Sequence, residues 1–280
     1  MAVTTSTIPD VTSTSTSTHH PSPYPLPPWK AHFLNSILTS HVLHFGTFTL
    51  KSGRISPYFF NAGLLHRASL LHSIAEAYAQ TILAHDTPSP LSFDLLFGPA
   101  YKGIPLSVST LLSLRAHDPA RFENLEYSFN RKEAKTHGEG GSIVGASLRG
   151  KRVVIIDDVI TAGTAIREAI SIIEAEGGIV VGIVVALDRG ERLGEGPGEG
   201  GSALGGVRRM LGGNVPVMAV LTLTEVIDGL KAGVGVGSAE DVAALEAYQL
   251  RWKALDYVNC TIELAQISAD VHCGEPESGM

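Results

Sequence analysis

The fold of this 280-residue chain is decided by residues 153–165, Val-Val-Ile-Ile-Asp-Asp-Val-Ile-Thr-Ala-Gly-Thr-Ala. Four apolar, mostly β-branched residues in a row predict a fully buried strand, which is typical of the middle of a parallel sheet. Two carboxylates, Asp157 and Asp158, follow where that strand is expected to end. After the small residues of the turn, isoleucines recur at i, i+4 and i+7 from Ile166 and predict an amphipathic helix.

The end of this strand has the composition of a binding site for a sugar phosphate. Open α/β sheets bind ligands in the crevice at the carboxyl ends of their strands. Small residues with free amides beside a helix N-terminus bind anions, and neighbouring carboxylates suit hydroxyls or a metal ion held by the same ligand. Asp157 and Asp158 could instead cap the following helix. Adjacent acids at a buried strand end are costly without a ligand, which favours the functional reading.

Strand and helix patterns continue on both sides of this stretch. Strands are predicted at residues 93–97, 126–130, 179–187 and 215–223, and helices at residues 30–42, 69–84 and 103–114 and after Ser238, with Asp241 completing a capping box. Residues 48–61 predict a hairpin with its turn at Ser52-Gly53. The alternation indicates the α/β class, with a central, mostly parallel sheet flanked by helices and a small added subdomain.

Both ends of the chain and one internal stretch differ from this pattern. Residues 1–28 are rich in Ser, Thr and Pro and predict a disordered tail with no packing role. They lack the features of a mitochondrial presequence or a secretory signal. Residues 190–213 are glycine-dense and predict a flexible surface insertion, and residues 266–280 predict a loose tail. The domain itself is expected over residues 29–265.

Composition excludes several classes of protein. The net charge of −7 argues against a nucleic-acid binder, whose phosphate contacts need clustered Lys and Arg. No apolar run approaches the roughly 18 residues that a membrane-spanning helix needs. The two cysteines, Cys260 and Cys273, form no metal-binding or redox spacing, which fits a reducing compartment.

A basic segment over residues 131–142 is the strongest further candidate for chemistry. Arg131, Lys132, Lys135 and His137 place four potential cations within seven positions, and glycines follow them. This composition predicts a flexible loop that closes over a polyanion and excludes water. The alternative is an ordinary solvated charged face.

Three other positions allow two readings each. Tyr101-Lys102 lies in a Pro/Gly-flanked turn and is equally consistent with a surface lysine and an anion contact. Phe59-Phe60 would ordinarily belong to the core. Arg189 follows a predicted buried strand and could simply pair with Asp188 or another acid.

Together these segments resemble the orotate phosphoribosyltransferases, which are type I phosphoribosyltransferases. Residues 153–165 resemble the phosphoribosyl diphosphate (PRPP) motif that the wider superfamily shares. Residues 48–61, 98–105 and 131–138 resemble three segments that are more specific to the family: its F-x-L-x-S-G segment, its PRPP-contacting turn and its mobile catalytic loop. The resemblance covers approximately residues 30–265, and monofunctional fungal-type enzymes are the nearer comparison.

The resemblance implies a type I phosphoribosyltransferase fold whose hood subdomain comes mainly from residues 29–65 and C-terminal elements. It implies transfer of the 5-phosphoribosyl group from PRPP to N1 of orotate, giving orotidine 5′-monophosphate and diphosphate in de novo pyrimidine biosynthesis. It also implies Mg²⁺ bound mainly through PRPP without direct protein ligands. The same resemblance implies a cytoplasmic homodimer that shares its mobile loops between subunits.

The resemblance further implies roles for individual residues. The catalytic residues would be Lys132, Lys135, His137, Asp157 and Asp158. The PRPP contacts would be Lys51, Tyr101, Lys102, Arg131, Lys132, Lys135, His137, Asp157, Asp158, Val159, Ile160, Thr161, Ala162, Gly163, Thr164 and Ala165. The orotate contacts would be Phe59, Phe60, Thr161 and Arg189.

Two rival interpretations remain at this point. One is a phosphoribosyltransferase for a purine or for uracil, because the PRPP motif does not specify the base. The other is a non-catalytic regulator that binds PRPP as a signal. The complete basic set over residues 131–137 and the acidic net charge count against a regulator that binds nucleic acid.

Overall fold

The computed structural model describes residues 26–50, 52–86, 90–135, 141–160, 163–194 and 201–254. The strands in these ranges are β1 (Leu43–Thr49), β2 (Ile55–Phe60), β3 (Leu95–Phe97), β4 (Glu126–Lys135), β5 (Gly141–Gly145), β6 (Arg152–Ile160), β7 (Ile179–Asp188) and β8 (Val217–Thr222). The helices are α1 (Pro28–Thr39), α2 (Ala68–Ala84), α3 (Gly103–His117), α4 (Thr164–Ala175), α5 (Ala203–Met210), α6 (Leu223–Lys231) and α7 (Ala239–Trp252).

The main sheet has the strand order β5-β4-β3-β6-β7-β8. All neighbours in it are parallel except β5, which pairs antiparallel with β4 at one edge. The side chains of Val153, Val154, Ile155 and Ile156 on β6 are completely buried. The predicted central parallel strand is therefore confirmed. It runs on to Ile160, which pairs with Asp188, so the two aspartates lie within the strand and not beyond its end.

Helices cover both faces of this sheet, as the prediction of an α/β fold requires. Alternate residues of β6 point to opposite faces, so Val154 and Ile156 join the hydrophobic cluster beneath α2, together with Tyr78. Ile155 joins the second cluster, beneath α4, together with Ile170. The two hydrophobic clusters pack on opposite faces of the sheet. They therefore fix the sheet edge that carries the two aspartates between two layers of helices.

A hairpin and the C-terminal helix make up the smaller part of the molecule. Strands β1 and β2 pair antiparallel, which confirms the predicted hairpin. At its turn the amide of Gly53 donates to the carbonyl of Leu50 at 2.9 Å, and φ of Gly53 is +80°. Helix α7 packs on β2, with the rings of Tyr58 and Tyr248 edge to face at 6.1 Å. The predicted capping box at Ser238 is also confirmed.

Two predictions for irregular segments are wrong within the described residues. Leu26 is 5% exposed and joins the core, so the tail over residues 1–28 has a packing role at its end. Residues 203–210 form α5 and are not part of a flexible insertion over 190–213. Ser202 caps this helix, and Val207 is completely buried against the α4 side of the sheet. Because the segment is rich in glycine, its sequence did not indicate the short apolar face of α5.

Two further differences concern element boundaries. Strand β4 continues five residues past the predicted end at Asn130, because β5 returns beside it and pairs Lys135 with Gly141. Helix α6 was not predicted; Thr222 and Glu225 form a capping box at its start. Within the described ranges, no helix is both long and apolar enough to cross a membrane.

Candidate active site

Asp157 and Asp158 lie on β6 at the carboxyl edge of the main sheet. Asp157 is 7% exposed, and its Oδ1 accepts the backbone amide of Asp158 at 2.9 Å. The hydroxyl of Tyr78, on α2, donates to the carbonyl of Asp157 at 2.6 Å. Helix packing on one face of the sheet therefore fixes the backbone that presents the two carboxylates.

The two carboxylates differ in their electrostatic environment. Burial, reinforced by the negative charge of Asp158, raises the pKa of Asp157 to about 7. Asp158 forms an ion pair with Lys102, whose Nζ lies 3.0 Å from Oδ2. The Lys102 side chain is 56% exposed, and an ion pair with one partner this exposed contributes little stability, so an anionic ligand can replace it readily. The arrangement suits a ligand that carries both hydroxyls and negative charge.

A tight turn between β3 and α3 holds Lys102 in this position. The amide of Gly98 donates to the carbonyl of Ser128 at 3.0 Å, and the amide of Ala100 donates to Oδ1 of buried Asn130 at 3.0 Å. A Cβ atom on Gly98 would lie 2.2 Å from the carbonyl oxygen of Gly103. Only glycine allows this approach, and the closed turn carries Lys102 to the β6 aspartates.

The N-terminus of α4 provides the second half of the site. Gly163 precedes the helix with φ of +71°, and no side chain among the described residues caps the first turn. Thr164 and Ala165 are exposed, so their amides can reach a ligand, whereas the side chain of Ile160 is buried in the core. Uncapped amides and the helix dipole make this end a site for an anion.

The structure places part of the predicted basic segment at the same edge of the sheet. Arg131 is half-buried and Lys132 exposed on β4, just beyond Asn130, which binds the Lys102 turn. Four other residues predicted to contact PRPP lie outside the described residues: Lys51, His137, Thr161 and Ala162. The side chain of Lys135 also lies outside the described part of the chain. Tyr101 is 71% exposed beside Lys102.

Comparison with known proteins identifies the family. A phosphoribosyl transferase domain model matches residues 64–196. The orotate phosphoribosyltransferase of Neurospora crassa is 53% identical over 235 residues, covering 82% of this chain and 99% of that protein. The Sordaria macrospora enzyme of the same name is 52% identical, covering 81% of this chain and 98% of that protein. The chain belongs to the orotate phosphoribosyltransferase family.

A solved structure supports the same assignment. The orotate phosphoribosyltransferase of Francisella tularensis superposes with a TM-score of 0.65 at 36% identity, covering 80% of this chain and all of that one. The type I fold with its mostly parallel central sheet is therefore shared.

Two of the residues predicted for the base in this family are not brought together. Phe59 and Phe60 are neighbours on β2, so their rings point to opposite faces of the hairpin. Phe60 is 6% exposed and belongs to the core, whereas Phe59 is 39% exposed and packs against His44 and Phe48. Their two rings cannot line the same side of one planar base.

Arg189, the third residue predicted for the base, is buried at the end of β7 and is 4% exposed. Its Nε donates to Oε1 of Glu191 at 2.5 Å, and its Nη2 donates to Oγ of Ser56 at 3.0 Å and to the Tyr248 hydroxyl at 3.2 Å. Its guanidinium also lies 4.2 Å from the ring of Tyr58. The structure therefore selects Glu191 as its acidic partner and not Asp188.

Sequence reasoning missed several residues that support the site. Asn130 could have been suspected from its position at the end of a predicted strand, where polar side chains meet the neighbouring turn. Glu191 was hidden at the start of the glycine-rich segment. The sequence does not single out Tyr78 or Tyr248, because nothing local indicates what a tyrosine hydroxyl will contact after folding.

Proposed function

We propose that this chain transfers the 5-phosphoribosyl group from PRPP to N1 of orotate, releasing diphosphate and forming orotidine 5′-monophosphate in de novo pyrimidine biosynthesis. The observation that carries the proposal is the Asp157–Asp158 pair between the uncapped start of α4 and Lys102. Family membership over four fifths of the chain supports orotate as the base.

In this proposal the PRPP-binding residues divide by the group they contact. The carboxylates of Asp157 and Asp158 accept hydrogen bonds from the ribose hydroxyls. The backbone of residues 159–165, at the start of α4, binds the 5′-phosphate through its amides and the hydroxyls of Thr161 and Thr164. Lys102 leaves Asp158 for the diphosphate. The remaining contacts to PRPP are assigned to Lys51, Tyr101, Arg131, Lys132, Lys135 and His137.

The reaction breaks the bond from C1′ to the diphosphate oxygen, and its electron pair leaves with the diphosphate. The lone pair on N1 of orotate then forms the new bond to C1′ with inversion, and the N1 proton is released to the departing diphosphate or to water. Positive charge grows on the ribose beside the Asp157–Asp158 pair, and negative charge grows on the diphosphate beside Lys102 and the basic segment. Positioning and electrostatic stabilisation supply the rate enhancement, so no covalent nucleophile on the protein is needed.

The donor set at the β6 edge fits a magnesium ion that is bound together with PRPP. Mg²⁺ keeps several waters and is usually held by one or two carboxylates plus substrate phosphates. In this proposal Asp157 and Asp158 bind the ribose hydroxyls beside the metal and are not its ligands; no cluster of three or more potential metal ligands occurs in the described ranges. When bound, Mg²⁺ would neutralise part of the diphosphate charge.

The base is assigned to the surroundings of Arg189, where the hairpin meets the end of β7. Arg189 supplies the positive charge for the orotate carboxylate, with Phe59 and Thr161 as further candidate contacts, whereas Phe60 belongs to the core. We also propose a cytoplasmic homodimer in which the segment over residues 131–142 reaches the neighbouring subunit. Sedimentation under assay conditions tests the assembly, and a fully active monomer would exclude the shared loop.

The deciding experiment is pyrophosphate release by purified protein with PRPP, Mg²⁺ and one base at a time. Orotate should be turned over far faster than adenine, hypoxanthine or uracil. Turnover with one of these bases but not with orotate would transfer the assignment to another phosphoribosyltransferase. PRPP binding without turnover of any base would favour a regulator.

A further inference from the structure

The side chain of Glu191 is central to the described contacts around Arg189. We propose that Glu191 is a positioning residue, which acts through Arg189 to make the site selective for a base that carries a carboxylate. This inference rests on the proposed function, because it needs Arg189 to face the orotate carboxylate. Glu191 itself need not touch the substrate.

The contacts of Arg189 leave one direction for a ligand. Its Nε is bonded to Glu191, and its Nη2 is shared between Ser56 and Tyr248. Among the described residues, Nη1 of Arg189 has no hydrogen-bond partner. This atom is also not among the fully buried polar atoms that lack a partner. The guanidinium is planar, so fixing two of its nitrogens also fixes the direction of the third. Glu191 therefore sets where Nη1 points.

Glu191 also connects this guanidinium to the hairpin and to the C-terminal helix. Its Oε1 accepts from the hydroxyl of Tyr248, on α7, at 2.9 Å, as well as from Arg189. Its Oε2 lies 3.4 Å from Nη1 of Arg54, which precedes β2 and stacks on Trp252 at 4.2 Å. One carboxylate thus accepts from donors on three separate elements.

Backbone contacts hold Glu191 where these donors meet. Glu191 forms an antiparallel bridge with Lys253, and the amide of Ala254 donates to the carbonyl of Gly190 at 3.0 Å. The side chain of Glu191 is 12% exposed and that of Arg189 only 4%. A cation this buried needs a fixed counter-charge, since removing one partner leaves the other uncompensated.

The chemistry requires a carboxylate at this position and not merely a polar side chain of the same size. Donors from Arg189 and Tyr248 converge on Oε1 while Arg54 approaches Oε2, so both oxygens act as acceptors. The side-chain amide of a glutamine would point its NH₂ group either at the donors of Arg189 and Tyr248 or at the donor of Arg54. Arg189 would then lose its charge-assisted bond and rotate, with little change in side-chain volume.

The test is Glu191→Gln, compared with Glu246→Gln as the matched control. Glu246 lies on α7 and pairs with Lys231 in a half-exposed ion pair, away from Arg189. We expect Glu191→Gln to raise KM for orotate by about tenfold or more, the scale of one lost charge-assisted contact, with KM for PRPP changed less than about twofold. The control should leave both constants within about twofold of native.

The preference for orotate over uracil distinguishes a positioning role of Glu191 from a purely structural one. Uracil is orotate without the carboxylate, so a general loss of structure should affect both bases alike. We expect Glu191→Gln to reduce the ratio of kcat/KM for orotate over that for uracil by about tenfold. Tyr248→Phe removes one donor to the same carboxylate and should give a smaller change in the same direction, which keeps the test available if Glu191→Gln folds poorly.

Two outcomes would overturn the inference. One is an unchanged KM for orotate in Glu191→Gln. The other is a parallel loss of activity with both substrates and both bases, with a lowered Tm, which would indicate a structural role only. The native protein in the same assay separates this inference from the proposed function. If the native protein releases no pyrophosphate with orotate, both the proposed function and the role of Glu191 are wrong. If the native protein turns over orotate and the variant is unaffected, only the role of Glu191 is wrong.

Discussion

The carboxyl end of β6 and the surroundings of Arg189 are built in different ways. The described part of the β6 site lies close together in the chain, in residues 157–160 and 163–165, and one turn adds Lys102. The Arg189 cluster joins Ser56, Glu191 and Tyr248, which are far apart in the chain. Under the proposed function, a group common to many substrates is bound by a local motif, whereas the feature that distinguishes one base is recognised by long-range contacts.

The two regions also differ in how they handle charge. At β6 burial, reinforced by the neighbouring carboxylate of Asp158, raises the pKa of Asp157, and the counter-charge of Asp158 is the half-exposed Lys102. Around Arg189 a single buried cation already has an acid and two hydroxyl groups as partners. In the first region the counter-charge is exposed enough for an anionic ligand to replace it, whereas the second region is already held by its partners.

The largest expected effect tests whether the basic segment belongs to the β6 site. Lys132→Ala should lower turnover by about two orders of magnitude, the scale of one lost transition-state-stabilising contact, and weaken PRPP binding less. Steady-state pyrophosphate release and PRPP titration measure the two quantities. Lys231→Ala, which removes a surface lysine from α6, is the control. Unchanged turnover in Lys132→Ala would remove the segment from the mechanism.

A second substitution tests whether the two regions are independent. Gly98→Ala should raise KM for PRPP by about tenfold, because its Cβ would meet the Gly103 carbonyl oxygen and shift the Lys102 turn. KM for orotate should stay within about twofold. Gly206→Ala, on α5, is the matched control, since a Cβ there meets nothing within 4 Å. Equal changes in both KM values would show that the regions are coupled.

The smallest effect concerns stability and its pH dependence. The folded-state pKa of Asp157, about 7, exceeds the ordinary value of 3.8, so the folded protein binds the extra proton and loses stability as pH rises from about 4 to 7. Asp157→Asn should therefore raise Tm by about 5 °C at pH 8 and much less at pH 5, although it reduces activity. Thermal unfolding at the two pH values measures this.

Asp94→Asn should change Tm in the opposite direction at high pH. Hydrogen bonds from Arg152 lower the pKa of Asp94 to about 2, so its stabilisation is present above the ordinary pKa and is lost as pH falls towards 2. Asp94→Asn should lower Tm at pH 8, by only a small amount because this carboxylate is largely solvated. A fall in Tm for Asp157→Asn at pH 8 would contradict the raised pKa of Asp157.

The same contrast explains what the sequence could predict. Strand β6 and helix α4 follow from apolar periodicity, and Asp157 and Asp158 stand out because acids are costly at a buried strand. The partners of Arg189 could not be found in this way, since Glu191 and Tyr248 acquire meaning only when α7 meets the end of β7. Helix α5 was missed for a different reason: surrounding glycines outweighed its few apolar residues.

The bridge between Glu191 and Lys253 has a consequence for the order in which the protein is made. A ribosome releases the chain from its N-terminus, and contacts can form only once both partners have emerged. All described strands and helices of the β6 site are available when β7 appears, whereas Arg189 must wait for Tyr248, near the end of the described chain. Under the proposed function, a nascent chain would therefore acquire its PRPP site well before it could select a base.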